Sequence, residues 1–239
     1  MKDDFVILIP SRIGSTRLKN KPLVDLNGKS LIQRVFEKGK LITDDVYIAT
    51  DSNIVKDHVS SFTSNVVMTS TEHISGTDRV CEAASILSLG DDQLIVNLQG
   101  DEPFMPEALI LSLVNDYYNN SCDVITARHP IEDSDIENPN CVKAIIDDNS
   151  FALDFIRNID DQDSHDLFRH IGIYGYSFST LKKLVMLDPS DRELNLKLEQ
   201  LRFMDSNYSI FVSLYKESIQ SGIDTQEDVD NANAYLTSL

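Results

Sequence analysis

An acidic turn near the middle of the chain is the first stretch that could do chemistry. Residues 99–103 read Gln-Gly-Asp-Glu-Pro and directly follow an apolar run over 94–98. The run is typical of a buried parallel strand, Gly100 permits a tight turn, and Pro103 prevents the strand from continuing. Asp101 is therefore predicted just past the carboxyl end of a strand, at the edge where open α/β sheets bind ligands.

A second acidic turn lies far downstream, where residues 222–225 read Gly-Ile-Asp-Thr. A single acidic turn is usually a solvated loop, but Asp101 and Asp224 together supply hard oxygen donors from two separate turns. Such donors suit Mg²⁺, which takes one or two carboxylates together with substrate phosphates. The amide of Gln99 adds a further polar group beside the first turn. The two turns therefore indicate a magnesium site.

A basic loop follows the first predicted strand, where residues 10–23 read Pro-Ser-Arg-Ile-Gly-Ser-Thr-Arg-Leu-Lys-Asn-Lys-Pro-Leu. Gly14 and the hydroxyl residues allow backbone amides to approach an anion, and Arg12, Arg17 and Lys21 supply positive charge. The loop is not a P-loop, because Gly-Lys-Ser/Thr is missing. Its position after the first strand is nevertheless right for a nucleoside triphosphate, which we favour over a solvated loop.

Composition excludes several other classes of protein. The chain has 239 residues and a formal net charge of −18, which argues against general nucleic-acid or anionic-membrane binding. The basic loop is thus an island in an acidic chain, suited to a small polyanion. No apolar run has the length of a membrane span, and no signal peptide is predicted. The three cysteines match no zinc spacing and are predicted to be unpaired thiols, so a cytoplasmic location is expected.

Weaker signals come from isolated polar residues. Residues 75–77 read Ser-Gly-Thr at a predicted helix N-terminus, a natural place for a phosphate or a polar base edge. Arg79 could present a fork to a carboxylate. His170 and Tyr174 share one face of a predicted strand, although a single histidine there is more often structural. No Ser-His-Asp or Cys-His arrangement is apparent, so no covalent catalyst is predicted.

The elements that must position these residues follow from hydrophobic periodicity. Strands are predicted over 5–9, 46–49, 66–68, 94–98, 124–127, 142–146, 171–176 and 210–214. Helices are predicted from 31, over 54–59, 77–87, 106–118, 181–186 and 190–204, and from 225 onward, with residues 11–28 as a long loop. Ser75 and Asp78 have capping-box spacing, and Thr225 is predicted to cap the last helix with Asp228 three residues on. The alternation of strands and helices predicts a doubly wound, mostly parallel α/β sheet with helices on both faces. The pattern changes past residue 120, where a smaller antiparallel subregion is expected within one domain.

Taken together, these stretches resemble the family of 3-deoxy-manno-octulosonate (Kdo) cytidylyltransferases of Gram-negative envelope synthesis. Several collinear motifs carry the resemblance, and such a set is a stronger signal than any one short motif. They are Ile-Pro-Ser-Arg at 9–12, Ser-Thr-Arg-Leu at 15–18, Lys-Pro-Leu at 21–23, Ala-Thr-Asp at 49–51, His-Ile-Ser-Gly-Thr-Asp-Arg at 73–79, residues 96–103, Arg-His-Ile-Gly-Ile-Tyr-Gly-Tyr at 169–176, Leu-Glu-Gln-Leu-Arg at 198–202, and residues 222–225 with Glu-Asp at 227–228.

The resemblance implies a single Rossmann-like nucleotidyltransferase domain over 1–239, with a CTP-binding half over 1–120 and a sugar-binding, dimerising half over 121–239. It implies transfer of CMP from CTP to the anomeric hydroxyl of Kdo, giving CMP-Kdo and pyrophosphate for lipopolysaccharide synthesis. The attack would be in line at the α-phosphorus. It further implies Mg²⁺ as cofactor and a cytoplasmic homodimer, formed through the segment around 128–150.

The resemblance also implies roles for individual residues. Lys21 and Arg17 would be catalytic, stabilising the departing pyrophosphate, with Asp101 and Asp224 carrying Mg²⁺. CTP would be bound by Arg12, Ser15, Thr50, Asp51, Ser75, Gly76 and Thr77. The sugar acid would be surrounded by Arg79, Gln99, Arg157, His170, Tyr174, Glu199 and Gln200.

Departures from the family pattern lie mostly on the sugar side. Lys19 and Asn20 stand where the family has Pro-Gly, and Leu196 stands where a Glu is common. The link from Arg157 to Arg169 is short and lacks a Pro. Three alternatives therefore stay open: a modified ulosonate such as 8-amino-Kdo as acceptor, transfer to a sugar 1-phosphate, and a nucleotide-binding pseudoenzyme.

The shortened link is also rich in acidic residues, namely Asp160, Asp161 and Asp163. Three carboxylates near Arg157 would repel an anionic sugar unless a positive group intervenes. An ammonium on the far end of the sugar could be such a group, because clustered carboxylates accept charge-assisted hydrogen bonds. The alternative, which we favour, is a solvated surface turn, since Asp runs are common in so acidic a chain.

Overall fold

The computed structural model describes residues 5–15, 17–159 and 166–238. Its strands, in chain order, are β1 (Phe5–Ser11), β2 (Asp25–Leu26), β3 (Lys29–Ser30), β4 (Val46–Thr50), β5 (Val66–Met68), β6 (Leu94–Asn97), β7 (Val124–Pro130), β8 (Lys143–Ile146), β9 (Ala152–Ile156), β10 (Leu167–Ser177) and β11 (Ile210–Leu214). Its α-helices are α1 (Leu31–Lys40), α2 (Asn53–Val59), α3 (Gly76–Ile86), α4 (Glu107–Asn119), α5 (Asp133–Ile136), α6 (Phe178–Leu184), α7 (Asp191–Leu196), α8 (Gln200–Asp205) and α9 (Gln226–Ser238), with a 3-10 turn at Lys21–Leu23. The fold is the predicted α/β class, a mostly parallel mixed sheet with helices.

The chain forms two compact units. The first unit consists of two segments, the chain up to Ile110 and the chain from Ser218 onward. The second unit is Leu111–Glu217. The C-terminal turn and α9 therefore belong with the N-terminal elements, whereas the halves expected from the sequence divide at residue 120.

The first unit is built on parallel strands in the order β6-β1-β4-β5. The side chains of β1 from Phe5 to Ile9 are almost completely buried, as expected for a parallel strand covered on both faces. Ser30 caps α1 by accepting a hydrogen bond from the amide of Gln33. A Cβ on Gly39 would lie 3.0 Å from Val46, so this glycine lets α1 pack closely on β4.

The C-terminal segment is fixed to the acidic turn that follows β6. The amide of Ile223 donates to the carbonyl of Asp101 at 2.8 Å. Thr225 and Asp228 form the predicted reciprocal cap of α9, each side chain accepting from the other's backbone amide. The ring of Tyr235 in α9 meets Phe104 edge-on at 5.3 Å. These contacts bring the second acidic turn to the first.

The second unit is a mixed sheet, in which β7 pairs parallel with β11 and antiparallel with β10. The predicted antiparallel subregion is formed by β10, β8 and β9. The pairing of β7 with β10 shifts register between Ile171 and Gly175. Thr126 Oγ1 lies 3.2 Å from the carbonyl oxygen of Ile171 and 2.8 Å from that of Ile173, and its single O–H donates to the nearer one. Buried strands thus surround a polar group that is fully hydrogen-bonded.

Several local predictions were wrong. The loop over 11–28 contains the 3-10 turn and the hairpin β2-β3, whose turn residues Asn27 and Gly28 both have positive φ, as an Asn-Gly turn requires. β9 and the short helix α5 were not predicted. The helix predicted over 190–204 is two helices, because Lys197 adopts a left-handed conformation (φ 54°, ψ 50°) after α7.

Candidate active site

The ammonium of Lys21 lies between the two acidic turns of the first unit. Its Nζ is 2.7 Å from Oδ2 of Asp101 and 2.7 Å from Oδ1 of Asp224, and the side chain is 14% exposed. Burial opposes the charge of Lys21, but attraction to the two carboxylates outweighs it and raises the pKa of Lys21 above its usual 10.5. Lys21 is therefore a fixed cation at neutral pH.

Local backbone geometry places Lys21 there. Asn20 precedes the 3-10 turn in a left-handed conformation (φ 53°), and Pro22 follows as a buried residue that favours the turn. Asparagine tolerates a left-handed backbone better than other residues with a Cβ. Asn20 therefore suits a left-handed position at which the family pattern has glycine.

Two glycines lie where the acidic turns pack against neighbouring groups, Gly100 against Pro10 and Gly222 against Glu102. A Cβ on Gly100 would lie 2.6 Å from the carbonyl oxygen of Pro10 at the end of β1. A Cβ on Gly222 would lie 2.7 Å from Oε1 of Glu102. The backbone at Pro10 cannot move aside easily, so Gly100 is required for the close approach, whereas the end of the Glu102 side chain could shift to admit a Cβ at Gly222.

Arg17 adds a second cation on the outer side of the pair. Its Nη2 lies 2.9 Å from Oδ1 of Asp224, and its side chain is 65% exposed. Asp224 thus faces both Arg17 and Lys21, and both carboxylates remain partly exposed to the cavity.

A cavity of about 470 Å³ opens beside this cluster in the first unit. The predicted site residues that line it are Arg12, Ser15, Arg17, Lys21, Ser75, Gly76, Arg79, Gln99, Asp101 and Asp224. A second hollow is lined by Asp51 together with Arg12. Thr50 and Thr77, which were also predicted to bind the nucleotide, are buried and line neither the cavity nor the second hollow.

The N-terminus of α3 forms one wall of the cavity. Ser75 and Asp78 make the predicted capping box, in which Ser75 Oγ accepts from the Asp78 amide and Asp78 Oδ2 accepts from the Ser75 amide, both at 3.1 Å. A Cβ on Gly76 would lie 3.3 Å from Pro10. The helix therefore begins directly against the end of β1, where its dipole favours a negatively charged ligand.

Arg79 is already engaged by the protein. Its Nη2 lies 2.5 Å from Oδ2 of Asp51, its Nη1 donates to Thr69 at 2.5 Å, and its side chain is only 3% exposed. The structure therefore shows an internal ion pair at the cavity wall. A direct contact from Arg79 to a sugar carboxylate remains a prediction.

His73 is a cavity residue to which the sequence assigned no role. It lines both the main cavity and the second hollow, and its Nε2 lies 2.5 Å from Oε2 of Glu82 in α3. Glu82 also accepts from the amide of Ser70, and although burial opposes its charge, these contacts lower the pKa of Glu82. His73 stood within a family motif, but no spacing rule links a loop histidine to a helical glutamate nine residues later.

Two of the predicted sugar residues, His170 and Tyr174, lie together on β10 in the second unit and are partly buried. His170 Nε2 is 2.9 Å from Thr126 Oγ1, and its ring lies 4.9 Å from that of Phe155 and 5.7 Å from that of Tyr174. Burial lowers the pKa of His170 to about 3 and raises the pKa of Tyr174. Both rings are therefore uncharged at neutral pH and can offer hydrogen bonds.

Three further predicted residues lie around the break between α7 and α8. Glu199 immediately precedes α8 and accepts from Arg202 Nη2 at 2.9 Å. Gln200 opens α8 and is buried. The Arg157 guanidinium donates to backbone carbonyls, that of Leu196 among them. Asp160, Asp161 and Asp163 lie outside the described residues, so the ammonium hypothesis stays a prediction.

Known proteins match this chain in sequence over nearly its whole length. A family model described as cytidylyltransferase matches residues 6–219. The chain belongs to the cytidylyltransferase family. Curated 3-deoxy-manno-octulosonate cytidylyltransferases from Parabacteroides distasonis and Haemophilus influenzae are 39% and 36% identical to it, each alignment covering 97% of this chain and 98% of the relative.

A solved structure gives the same answer for the fold. The structure of CMP:2-keto-3-deoxy-manno-octonic acid synthetase complexed with CTP matches this cytidylyltransferase with a TM-score of 0.91 and 31% sequence identity, covering 99% of each chain. The resemblance expected from the motifs is confirmed. Among the helices of the described residues, none is long and apolar enough to cross a membrane.

Proposed function

We propose that this cytidylyltransferase transfers CMP from CTP to the anomeric hydroxyl of Kdo, giving CMP-Kdo and pyrophosphate for lipopolysaccharide synthesis. The observation that carries the proposal is the Lys21 ammonium between Asp101 and Asp224 in the wall of a cavity that Arg12 and Arg17 also line. Full-length relatives named for this reaction support it, as does a structural relative complexed with CTP. Because these relatives are named for Kdo, the 8-amino analogue is not favoured.

The basic loop is suited to the triphosphate. Arg12, Ser15 and Arg17 line the cavity together with Lys21, so a polyanion there meets three cations and the positive end of α3. Lys21 and Arg17 already contact carboxylates, and a triphosphate would compete for the same N–H donors. These two residues would then stabilise the charge that develops on the departing pyrophosphate.

The carboxylates fit a magnesium ion. Asp101 and Asp224 each place one oxygen 2.7 Å from a common cation, the Lys21 ammonium, which shows that the two turns can converge on one positive centre. Among the described residues no group of three or more metal-ligating side chains occurs, so the remaining ligands would be phosphate oxygens and water, as Mg²⁺ prefers. When bound, Mg²⁺ would neutralise charge on the reacting phosphate.

The acceptor side relies on hydrogen bonding. Neutral His170 and Tyr174, together with Glu199 and Gln200, supply donors and acceptors suited to the hydroxyl-rich sugar acid. The anomeric hydroxyl would attack the α-phosphorus in line with the leaving pyrophosphate. Because no covalent nucleophile is needed, catalysis of this kind depends on positioning and electrostatics.

The assembly and location of the protein belong to the same proposal. We expect a homodimer in the cytoplasm, on the family resemblance. Sedimentation velocity at micromolar concentration tests the oligomeric state, because a monomer and a dimer of a 26.9 kDa chain separate clearly. A single monomeric species would contradict this part of the proposal.

Pyrophosphate release tests the reaction itself. The enzyme is incubated with CTP, MgCl₂ and one acceptor from a panel of Kdo, 8-amino-Kdo, a nine-carbon sialic acid and glucose 1-phosphate, with Asp224→Asn as a matched inactive control. We expect rapid release with Kdo and none without an acceptor. A preference for the sugar 1-phosphate, or CTP binding without turnover of any acceptor, would refute the proposal in favour of another transferase or a pseudoenzyme.

A further inference from the structure

Lys143 in the second unit is a buried lysine that fixes the chain just after β9. Its side chain is 0% exposed, and its Nζ donates to the backbone carbonyls of Asn138 and Arg157, each at 2.8 Å. A buried ammonium is tolerated only when its N–H groups are hydrogen-bonded. Because Lys143 also pairs with Ile156 across the β8-β9 ladder, the backbone at Arg157 is held at two adjacent residues.

The guanidinium of Arg157 extends this contact to the end of α7. Nε donates to the carbonyl of Leu196 at 2.7 Å, Nη2 to that of Lys197 at 3.3 Å, and Nη1 to that of Pro139 at 3.0 Å. Within the part of the chain that the structure describes, these hydrogen bonds all go to backbone carbonyls. Each of the three nitrogens therefore donates one hydrogen bond to the protein itself, which uses three of the five N–H groups.

The end of α7 has a physical need for such a partner. Lys197 takes a left-handed conformation that is unfavourable for a residue with a Cβ, and such backbone strain persists only where the surroundings impose it. The last carbonyls of a helix also lack partners within the helix, and a cation near them is stabilising. Arg157 meets both needs by binding the carbonyls of Leu196 and Lys197.

The strained residue directly precedes two predicted sugar contacts. Glu199 and Gln200 follow Lys197 by two and three residues and begin α8, so the break at Lys197 sets the direction in which they project. We propose that Arg157, fixed by Lys143, is a positioning residue that sets the break between α7 and α8. It thereby places Glu199 and Gln200 for the sugar acid and does not bind the sugar directly. This inference rests on the proposed function for its kinetic consequence only.

Amide hydrogen exchange on the substrate-free protein separates the two roles of Arg157. The reporters are the amide of Lys197, which donates to Glu193 at 2.7 Å, and the amide of Arg202, which donates to Glu199 at 3.1 Å. We expect Arg157→Ala to speed exchange at both by about tenfold, because a charge-assisted contact is lost, and Arg157→Lys to give a smaller change. A side chain that only binds the sugar would leave both rates unchanged without sugar.

Arg192 provides the matched control. It is an arginine on α7 itself, and it pairs with Asp154 and Asp205 instead of with the carbonyls at the helix end. Arg192→Ala should leave the exchange of both reporter amides within twofold of the parent protein. Equal acceleration in Arg192→Ala and Arg157→Ala would show a general loosening of α7 and would overturn the inference.

Kinetics supply the second arm. We expect Arg157→Ala to raise the KM for Kdo about tenfold while the KM for CTP changes less than twofold, and Lys143→Met to act in the same direction. The penalty should persist with the C1 carboxamide of Kdo, since Arg157 acts through Glu199 and Gln200. A penalty that disappears with the carboxamide would instead identify Arg157 as the carboxylate ligand. If the parent enzyme does not use Kdo, the proposed function fails, while the exchange data still decide the role of Arg157.

Discussion

Lys21 in the first unit and Lys143 in the second are both largely shielded from solvent, but their partners differ. Lys21 contacts the carboxylates of Asp101 and Asp224 beside an open cavity, together with the exposed Arg17. Lys143 contacts only backbone carbonyls among its described hydrogen bonds and is completely buried. A lysine therefore serves ligand binding where a ligand can reach it, as at Lys21, and serves local structure where it is completely buried, as at Lys143.

The difference separates a lysine that is available to a ligand from a lysine that holds the backbone in place. In the first unit, phosphates can replace the carboxylates as partners of Lys21, and a metal ion can replace Lys21 as partner of the carboxylates. In the second unit, Lys143 is completely buried, so no ligand can replace its backbone carbonyl partners, those of Asn138 and Arg157. Substitutions in the first cluster should therefore alter turnover and nucleotide affinity, and those in the second should alter local order.

The largest effect is expected for the carboxylates. Asp101→Asn and Asp224→Asn should each lower kcat by on the order of 100-fold or more, because each removes a charged oxygen ligand from the cation site. Steady-state kinetics across a magnesium titration measure this, and circular dichroism should show an unchanged fold. Near-normal turnover of either variant at limiting Mg²⁺ would exclude that residue as a ligand.

A smaller effect is expected for the cations of the same cluster. Lys21→Ala should raise the KM for CTP and lower kcat/KM. The loss of transition-state stabilisation should be about 1.5–3 kcal/mol, the contribution of a charge-assisted contact. Arg17→Ala should cost less, because its side chain is 65% exposed. Lys29→Ala, which breaks a surface pair with Glu37, is the control. An unchanged KM and kcat in Lys21→Ala would place Lys21 outside the phosphate site.

Gly100 tests whether the acidic turn depends on close backbone approach. Gly100→Ala should destabilise the fold by about 1–3 kcal/mol, because the new Cβ would meet the Pro10 carbonyl at 2.6 Å and backbone cannot move aside easily. Urea unfolding measures the change. Gly90→Ala, whose Cβ would meet nothing within 4 Å, should be neutral or slightly stabilising. Equal stability of the two variants would contradict the account of the turn.

The effect that is smallest near neutral pH, and that grows only as the pH falls, concerns His170 in the second unit. Burial lowers the pKa of His170 to about 3 from its usual 6.5, so between these values the unfolded ring binds a proton that the folded ring does not. Stability contributed at neutral pH is thus lost as the pH falls from about 6.5 toward 3, by up to about 1.4 kcal/mol per pH unit.

Replacement of the ring tests this pH dependence. His170→Gln should flatten the decrease in unfolding free energy over that pH range, measured by urea unfolding at several pH values. His129→Gln, which removes a histidine bonded to the carbonyls of Pro130 and Glu217, should not flatten it. An identical pH slope for His170→Gln and the parent protein would show that the ring is protonated equally in both states.

Prediction from sequence succeeded where a signal was local. The capping boxes at Ser75 and Thr225 and the buried run of β6 depend on neighbouring residues, and the structure contains all three. The Asn-Gly turn at 27–28 was also a local signal, but it was read only as loop. β9 was missed because its burial does not alternate: Leu153 is exposed and Phe155 is buried, although residues two apart lie on the same face of a strand.

Predictions that needed distant partners could not be made in the same way. The residues from 190 to 204 contain good helix formers, so a single helix was expected. The break at Lys197 depends on Arg157, which is 40 residues away in sequence. Likewise, a fork at Arg79 was predicted for a ligand, whereas the tertiary structure supplies Asp51 as its partner.

The sequence by itself determined the α/β class, the basic loop and the two acidic turns, because hydrophobic periodicity and turn formation depend on residues that are close together in sequence. Only the tertiary structure decided that the C-terminal turn joins the first unit and that Lys21 meets Asp101 and Asp224, which are 80 and 203 residues away. It also decided that Arg157 binds carbonyls. Such contacts depend on packing between distant segments. The residues around one contact partner do not indicate which distant residue will be the other.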